Sequence, residues 1–190
     1  MVQAESGSEL ARGDLAPEFR LDGTDGATHS LDSFADNDAL LVVFTCNHCP
    51  YAKAKFDALN AIAAEYDDCA VVGVNPNDAN EYPADSYARM CELTDDGTVA
   101  YDAYLRDDGA SVARAYGAVC TPDPFLFRRE DGGWRLAYHG RLDDALDPSD
   151  DPSGDPGFEV RQAIDAVLEG EAVSLDGNPS RGCSIKWPND

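Results

Sequence analysis

The chain has 190 residues and a formal net charge of −23, from 37 acidic and 14 basic residues. This length suits a single domain with a substantial core, and the negative charge argues against nucleic acid or an anionic membrane surface as a partner. No segment approaches the roughly 20 apolar residues of a membrane helix. Since the N-terminus also shows no basic region followed by an apolar one, we predict a cytoplasmic protein.

The chain up to residue 45 predicts a polar beginning and two strands. Residues 1–14 are polar and are expected to be flexible. Phe19 and Leu21 alternate with charged residues, which indicates a short strand, and Ser30 can cap a short helical turn that follows. Residues 39–45 are largely apolar, so we predict a buried strand there.

The next segment predicts a strand–helix–strand unit. Pro50 suits the first turn of a helix because its missing N–H is not needed there, and apolar residues recur at helical spacing up to Tyr66. Residues 70–75 are almost entirely apolar, as in a buried parallel strand. A second helix is predicted over residues 86–93, with Asp85 as its N-cap.

The second half of the chain predicts a hairpin and a closing helix. In chain order we expect a short strand, a short helix, a two-stranded hairpin, a surface loop and an amphipathic helix, over residues 101–105, 111–116, 125–139, 143–157 and 160–168. Together these elements predict an α/β sandwich around a central mixed sheet. Residues 171–190 are predicted to form a C-terminal tail.

Cys46 and Cys49 form a Cys-x-x-Cys motif between the predicted central strand and the helix after it. Two residues three apart share one helix face and lie within disulfide reach. A helix N-terminus favours the reactive thiolate, so we predict a redox-active dithiol. Half of a structural zinc site and two inert, packed cysteines are the alternatives. The other cysteines stand singly, so a second pair for zinc is missing: Cys69, Cys91, Cys120 and Cys183.

Three segments of the chain resemble thioredoxin-like proteins of the thiol oxidoreductase and peroxiredoxin (AhpC/TSA) branch. They are residues 44–50 with the motif Cys-Asn-His-Cys-Pro, residues 120–127 with a Thr-Pro pair, and residues 140–144. The resemblance extends over residues 15–170, which it identifies as a thioredoxin-like domain. It implies the thioredoxin-like fold, a central mixed β-sheet flanked by helices, with an N-terminal extension and a helical insertion.

The resemblance also implies roles for matching residues. Cys46 attacks a disulfide, and Cys49 resolves the mixed disulfide. Thr121 and a cis Pro122 pack against the substrate chain, and Asn47 contributes to substrate binding. An ordinary trans proline turn is the alternative at Pro122. The implied partners are protein disulfides or dithiols and a thiol reductant, and no cofactor is implied.

His48 lies between the two cysteines of the motif. When protonated, it would stabilise the Cys46 thiolate and raise the reduction potential. A surface residue without a redox role is the alternative for His48. Cys120 directly precedes Thr121 and is an auxiliary redox thiol, a metal ligand or a packed small residue; we favour packing or a modest redox role.

The remaining polar and sulfur-containing residues receive simpler interpretations. Asp123 and Glu92 are candidate proton shuttles, although a solvated carboxylate is the interpretation we favour for each. Cys183 is expected to be exposed in the tail, whereas Cys69 opens a core strand and Cys91 lies on a helix, so both are interpreted as structural.

Two rival functions remain beside disulfide exchange. A peroxiredoxin carries Pro-x-x-x-Thr at a fixed distance before its reactive cysteine, and neither Cys46 nor Cys49 has these residues at that spacing. A metal-binding protein or metallochaperone would use Cys46 and Cys49 with His48 or Cys120, since thiolates and imidazole suit Cu(I) and Zn(II). The redox interpretation requires both sulfurs to lie together, near Pro122 and open to solvent.

The acidic residues are spread along the whole chain, and lysine occurs at three positions, Lys53, Lys55 and Lys186. This even acidity resembles the surface of cytosolic proteins from extreme halophiles. An acidic patch for basic partners is the alternative, and we disfavour it because no single acidic block dominates.

Overall fold

The computed structural model describes residues 2–188, which contain ten strands, five α-helices and two short 3-10 turns. The strands are β1 (Gln3–Glu5), β2 (Arg20–Gly23), β3 (Thr28–Ser30), β4 (Ala39–Phe44), β5 (Cys69–Asn75), β6 (Ala103–Arg106), β7 (Cys120–Thr121), β8 (Asp123–Glu130), β9 (Gly133–His139) and β10 (Arg181–Ser184). The helices are α1 (Pro50–Lys53), α2 (Phe56–Glu65), α3 (Tyr87–Asp95), α4 (Ser111–Tyr116) and α5 (Phe158–Leu168), and the 3-10 turns are Leu31–Phe34 and Pro83–Asp85.

Seven strands form the main sheet, in the order β3-β2-β6-β5-β4-β8-β9. The central strand β4 is fully buried and lies parallel to β5 and antiparallel to β8. Because α1 and α2 connect β4 to β5, these elements form the crossover that a parallel pair needs. The arrangement confirms the predicted mixed sheet flanked by helices.

Most elements form where hydrophobic periodicity predicts them. The hairpin β8–β9 is antiparallel, and α4 ends at Gly117, whose φ of +70° suits a residue without a Cβ. The helix predicted from Pro50 to Tyr66 is broken at residues 54–55 into α1 and α2. Of the helices described, none has both the length and the apolar character required to cross a bilayer.

Hydrophobic clusters cover both faces of the main sheet. On one face the strands pack against α4 and the turn Leu31–Phe34, and on the other they pack against α2 and α5. A third, smaller cluster contains Cys46, Cys49 and Cys183 together with residues of α3. The Cys-x-x-Cys motif therefore lies in a packed region just beyond the carboxyl end of β4.

A second sheet, with strand order β1-β10-β7, joins the two ends of the chain. Residues 1–14, expected to be flexible, contribute β1, and the predicted tail contributes β10. We did not predict either strand, because segments of three and four residues offer no clear alternation of apolar and polar residues. The pairing of β10 with β7 brings the C-terminal segment directly against Thr121.

Candidate functional site

The dithiol lies at the junction of β4 and α1. Cys49 is the N-cap of α1, and Pro50 takes the first helical position, where the absence of its N–H leaves no hydrogen bond unmade. The Cys46 and Cys49 side chains hydrogen-bond each other, and all six cysteines of the chain are thiols. The strand–turn–helix geometry therefore brings the two sulfurs together, as the spacing predicts.

Thr121 touches both sulfurs of the pair. Its Oγ1 lies 3.2 Å from Cys46 Sγ, and its carbonyl oxygen lies 3.5 Å from Cys49 Sγ. The peptide bond between Thr121 and Pro122 is cis. The cis proline and the dithiol, 75 residues apart at the Cys46–Thr121 contact, thus form one site.

The two thiols differ in their tendency to ionise. Hydrogen bonds to the Cys49 sulfur, first from Cys46 and then from Cys183 and the Ala52 N–H, lower the pKa of Cys49 to about 5. Burial, the bond to Cys49 and the negative charge of Asp85 raise the pKa of Cys46 well above its usual range. Two thiols this close titrate as a pair, and the contacts place the single negative charge of the reduced pair on Cys49.

His48 is held in place by a buried carboxylate. Its Nδ1 lies 2.5 Å from Asp85 Oδ2, and its ring stacks on Tyr82 with centroids 5.3 Å apart. The side chain is 19% exposed, whereas Asp85 is fully buried. His48 Nε2 is itself buried and has no hydrogen-bond partner within the described chain, so His48 is more than a surface residue.

Asp85 is the centre of this part of the site. Its Oδ1 accepts the Asn47 backbone N–H at 2.7 Å, and its Oδ2 accepts Asn77 Nδ2 at 2.7 Å. The prediction that Asp85 caps α3 is wrong: Ser86 is the N-cap, and its side chain accepts the Arg89 N–H. A serine and an aspartate are comparable caps, so sequence alone could not choose between adjacent residues.

Asn47 is held by hydrogen bonds of its backbone and of its side chain. Its Nδ2 donates to the Ala84 carbonyl at 2.9 Å, and its Oδ1 accepts the hydroxyl of the buried Tyr104 at 2.6 Å. In this arrangement Asn47 links the motif to the segment around Asp85. Its contact with a substrate remains a prediction.

Cys183 lies against the dithiol, which corrects the expectation that it is exposed. It is 2% exposed and packs with Cys46 and Cys49 in one cluster. In β10 it stands opposite Thr121, and its thiol hydrogen-bonds the Cys49 sulfur. Burial, followed by the neighbouring Cys49, raises the pKa of Cys183 to about 12, so Cys183 is the proton donor of this contact.

Both sulfurs of the motif are closed off from solvent, contrary to the expectation of an open pair: Cys46 and Cys49 are 0% exposed. Two segments contribute to this burial, residues 77–86 and 181–186, and are called the covering segments. The first supplies Asp85 and Tyr82, and the second supplies Cys183. The covering segments are bonded to each other, because Asn77 Oδ1 accepts the Lys186 N–H at 2.8 Å and the Asp78 N–H donates to the Lys186 carbonyl at 2.7 Å.

The two candidate proton shuttles have different surroundings. Asp123, interpreted as a solvated carboxylate, is fully buried, and its Oδ1 lies 2.8 Å from His139 Nε2. Burial raises the pKa of Asp123 to about 6, although His139 opposes the shift. Asp123 lies two residues before Phe125 and thus on the same face of β8, and this spacing was the sequence signal that Asp123 is buried. Glu92 is exposed on α3 and pairs with Arg89, so the solvated interpretation of Glu92 is correct.

The sulfurs of the remaining three cysteines lie against backbone carbonyl groups or in the core, and the auxiliary redox role of Cys120 stays a prediction. Cys120 is buried in β7, its thiol 4.0 Å from the Pro122 carbonyl oxygen, and burial raises its pKa. Burial likewise raises the pKa of Cys69 to about 12, and the half-buried Cys91 lies 3.9 Å from the Thr24 carbonyl oxygen. We therefore find Cys183, not Cys120, in contact with the Cys49 sulfur.

One set of side chains has the spacing of metal ligands. Cys46, His48 and Asp85 place one ligand atom each within 4.8 Å of one another, and thiolate, imidazole and carboxylate are all ligands for zinc. Cys120, which we considered as a ligand, is not part of this set. The 2.5 Å contact between His48 Nδ1 and Asp85 Oδ2 already uses one atom of each.

Comparison with known proteins places the chain in a family. The model of the AhpC/TSA family matches residues 12–135. A hypothetical protein from Sinorhizobium meliloti is 41% identical, with a TM-score of 0.87 and coverage of 98% of this chain and 99% of that one. An uncharacterized conserved protein from Geobacillus kaustophilus is 35% identical, with a TM-score of 0.90 and coverage of 100% and 98%.

A more distant structure shares the fold alone: a peroxidoxin from Mycobacterium tuberculosis is 14% identical, with a TM-score of 0.60 and coverage of 85% of this chain and 98% of that one. No curated protein matches the sequence. Fold and family together support a thioredoxin-like redox function. With a family model matching more than half of its length, the chain belongs to the AhpC/TSA family.

Proposed function

We propose that the protein is a thiol–disulfide oxidoreductase that exchanges electrons with protein or small-thiol partners through Cys46 and Cys49. The observation that carries the proposal is the contact of the two sulfurs with each other and with Thr121, at the start of α1. Hydrogen-bond donors and a helix N-terminus stabilise a thiolate there, and the thiolate is the reactive species in disulfide exchange. The family assignment supports the same chemistry.

The reaction consists of two displacements. Following the resemblance, we assign the first attack to Cys46: its sulfur bonds to one sulfur of the partner disulfide, and the other leaves as a thiolate. Cys49 then attacks the Cys46 sulfur, the mixed disulfide breaks, and a Cys46–Cys49 disulfide remains. Two electrons pass to the partner with the one proton of the reduced pair, and a second proton comes from solvent; the same steps in reverse reduce the site.

Cys46 has to lose its proton before it attacks. Cys49 carries the negative charge of the reduced pair, so it is a weak acceptor for that proton. A ring nitrogen of His48 lies within 4.8 Å of Cys46 Sγ, and Asp85 fixes the ring through Nδ1. We therefore assign His48 as the proton acceptor for Cys46 and Asp85 as the residue that positions it.

A partner has to displace one of the covering segments, because both sulfurs are buried. A small groove lies beside Pro122 and next to β10, and is lined among others by Tyr51, Lys55, Arg141, Asp143 and Arg181. Lys55 pairs with Asp143 at 2.5 Å, so the positive charge of Lys55 balances the negative charge of Asp143 in this groove. We propose that the partner chain lies along this groove and against Thr121 and Pro122.

The test is trapping of a mixed disulfide with oxidised glutathione. Cys46→Ser should abolish disulfide exchange, because the attacking sulfur is gone. Cys49→Ser should accumulate a glutathione adduct on Cys46, because the resolving sulfur is gone. Cys91→Ser is the matched control, since Cys91 is a half-buried thiol on α3, and it should exchange at the rate of the unmodified protein.

Full activity in both motif variants would refute the proposal. A glutathione adduct on Cys49 in Cys46→Ser, with none on Cys46 in Cys49→Ser, would reverse the order of attack, in line with the charge on Cys49. A redox titration of the pair then separates an oxidant from a reductant, since reductants have the lower potentials.

Metal binding is the second candidate, because Cys46, His48 and Asp85 stand close enough to share an ion. Protein purified under reducing conditions would then hold stoichiometric zinc or copper that Asp85→Asn and Cys46→Ser both lose. A metal-free protein that exchanges with glutathione would favour the redox role.

Peroxide reduction is the third candidate, and only the family assignment favours it. The motif that precedes a peroxidatic cysteine is absent from the sequence. We expect the second-order rate constant with hydrogen peroxide to be close to that of free cysteine. A rate constant several orders of magnitude higher would make peroxide the substrate.

As the compartment we propose a reducing cytoplasm, where cysteines remain thiols. The net charge of −23 suits the high-salt cytoplasm of a halophile. Unfolding measured at molar potassium chloride should then show higher stability than at low salt, because salt screens the repulsion between acidic side chains.

A further inference from the structure

The C-terminal strand β10 occupies the position beside the cis proline where a bound chain would pair. Its register with β7 sets Cys183 opposite Thr121 and Ser184 opposite Cys120. The approach is close: a Cβ built on Gly182 would lie 1.9 Å from the Thr121 carbonyl oxygen, so residue 182 has to be a glycine. The chain is thus built to hold Cys183 at the dithiol.

Cys183 is hydrogen-bonded to the Cys49 sulfur of the pair. Its side chain and its backbone both hydrogen-bond Cys49, whereas Cys46 bonds to Cys49 and Thr121. Cys49 therefore lies between the other two thiols. All three belong to one buried cluster.

We infer that Cys183 is a third redox thiol of this site, and that a disulfide formed between Cys46 and Cys49 moves to Cys49 and Cys183. The inference rests on the proposed function, which forms the first disulfide. The Cys183 sulfur attacks the Cys49 sulfur, the Cys46–Cys49 bond breaks, and a Cys49–Cys183 bond forms. Cys46 leaves as a thiolate and takes up the proton that Cys183 gives up. The transfer consumes no oxidant and no reductant.

The chemistry of the contact fits this transfer. In the reduced protein the Cys49 thiolate is one cause that holds the proton on Cys183. When Cys49 enters a disulfide, its negative charge is lost and that obstacle disappears. Burial, the larger cause of the raised pKa of Cys183, stays, but oxidation of the pair removes the part that the Cys49 thiolate contributes. The transfer returns Cys46 to the thiol form, and the disulfide joins β10 to the start of α1.

Disulfide mapping tests the inference, because trypsin separates the relevant cysteines. Cleavage after Arg20, Lys53, Arg181 and Lys186 puts Cys46 and Cys49 together on peptide 21–53 and Cys183 alone on peptide 182–186. The protein is oxidised with diamide, quenched in acid, blocked with N-ethylmaleimide and digested without reductant. In the unmodified protein we expect a linked pair of these peptides beside the internally bridged peptide 21–53.

Single variants locate the bond. Cys46→Ser should still link peptides 21–53 and 182–186, because Cys49 and Cys183 are both present. Cys49→Ser should lose that link, since the Cys183 thiol hydrogen-bonds the Cys49 sulfur, and Cys183→Ser should retain only the internal bridge. Cys120→Ser, a neighbouring buried thiol on β7, is the matched control and should leave both species unchanged.

Absence of the linked pair from both the unmodified protein and Cys46→Ser would overturn the inference, while the internal bridge, if present, would leave the proposed function standing. Absence of the internal bridge together with loss of glutathione exchange would instead refute the proposed function. A link to the Cys120 peptide in place of peptide 182–186 would also overturn the inference.

Discussion

Two histidine–aspartate pairs lie in this site, and they use the same residues differently. His48 pairs with Asp85 beside Cys46, and His139 pairs with Asp123 next to Pro122. In each, the aspartate is fully buried, the histidine is less than one fifth exposed, and its ring stacks on an aromatic residue. The difference lies in what else the aspartate touches.

Asp85 is surrounded by donors, whereas Asp123 is not. Besides His48, both oxygens of Asp85 accept hydrogen bonds, from the Asn47 N–H and from the Asn77 amide. Asp123 Oδ2 has no partner among the described residues, and burial raises the pKa of Asp123 to about 6. Donors stabilise a buried carboxylate as an anion, and their absence favours its protonation. Asp85 is therefore a fixed support for the motif, whereas burial brings the pKa of Asp123 closer to neutral pH.

Removal of the two carboxylates gives the largest expected contrast. Asp85→Ala leaves the hydrogen-bond donors of Asn47 and Asn77 without an acceptor and breaks the pair with His48. The free energy of unfolding should therefore fall by about 3–5 kcal/mol. Asp123→Ala leaves one ring nitrogen of His139 without its partner and removes a poorly solvated charge. The free energy of unfolding should therefore fall by clearly less than in Asp85→Ala. Urea unfolding at pH 7 measures both. Equal losses would show that the extra donors to Asp85 are without energetic consequence.

The pH dependence of stability is the second contrast. Between its ordinary pKa of 3.8 and the folded value of about 6, Asp123 binds more proton in the folded protein than in the unfolded chain. Its contribution to stability therefore falls as pH rises through this window, by up to about 3 kcal/mol. Asp123→Asn keeps a hydrogen bond to His139 without ionising.

The measurement is the stability of Asp123→Asn relative to the unmodified protein, by urea unfolding from pH 4 to pH 7. We expect the difference to shift in favour of the variant as pH rises. A constant difference over this range would mean that Asp123 stays ionised in the folded protein, and the contrast between the two pairs would disappear.

The sequence predicts those parts of the molecule whose structure is determined by residues within the same helix, strand or motif. The apolar run of β4, the helical spacing in α5 and the three-residue separation of Cys46 and Cys49 each determine structure within one element. The site beyond the motif depends on contacts between distant segments. His48 and Asp85 are 37 residues apart, and Cys183 reaches Cys49 only through the pairing of β10 with β7.

Burial of the dithiol could not be predicted for the same reason. The covering segments contain short elements, Pro83–Asp85 and β10, and neither has a hydrophobic pattern of its own. Asp123 is the exception, because its alternation with the inward-facing Phe125 and Phe127 in β8 was a usable signal. Asp123 precedes the predicted hairpin by two residues, and only the extension of β8 back to Asp123 gives it the phase of a buried position.

The smallest expected contrast is between the two imidazoles. His48→Phe and His139→Phe each keep a stacked ring and remove the partner of a buried aspartate. Loss of His48 removes a hydrogen-bond partner of Asp85, so the Asp85 charge beside the dithiol is less shielded and the negative charge of the reduced pair is disfavoured. The reduced dithiol is then less stable, and its reduction potential should fall by about 30 mV, a tenfold change in the equilibrium constant with glutathione. His139→Phe should leave the potential unchanged, since neither His139 nor Asp123 is among the groups that set the pKa of Cys46 or Cys49. The measurement is a glutathione titration of the dithiol in both variants. Equal shifts in the reduction potential would mean that both pairs act on the dithiol. An unchanged potential in His48→Phe would mean that His48 has only a packing role.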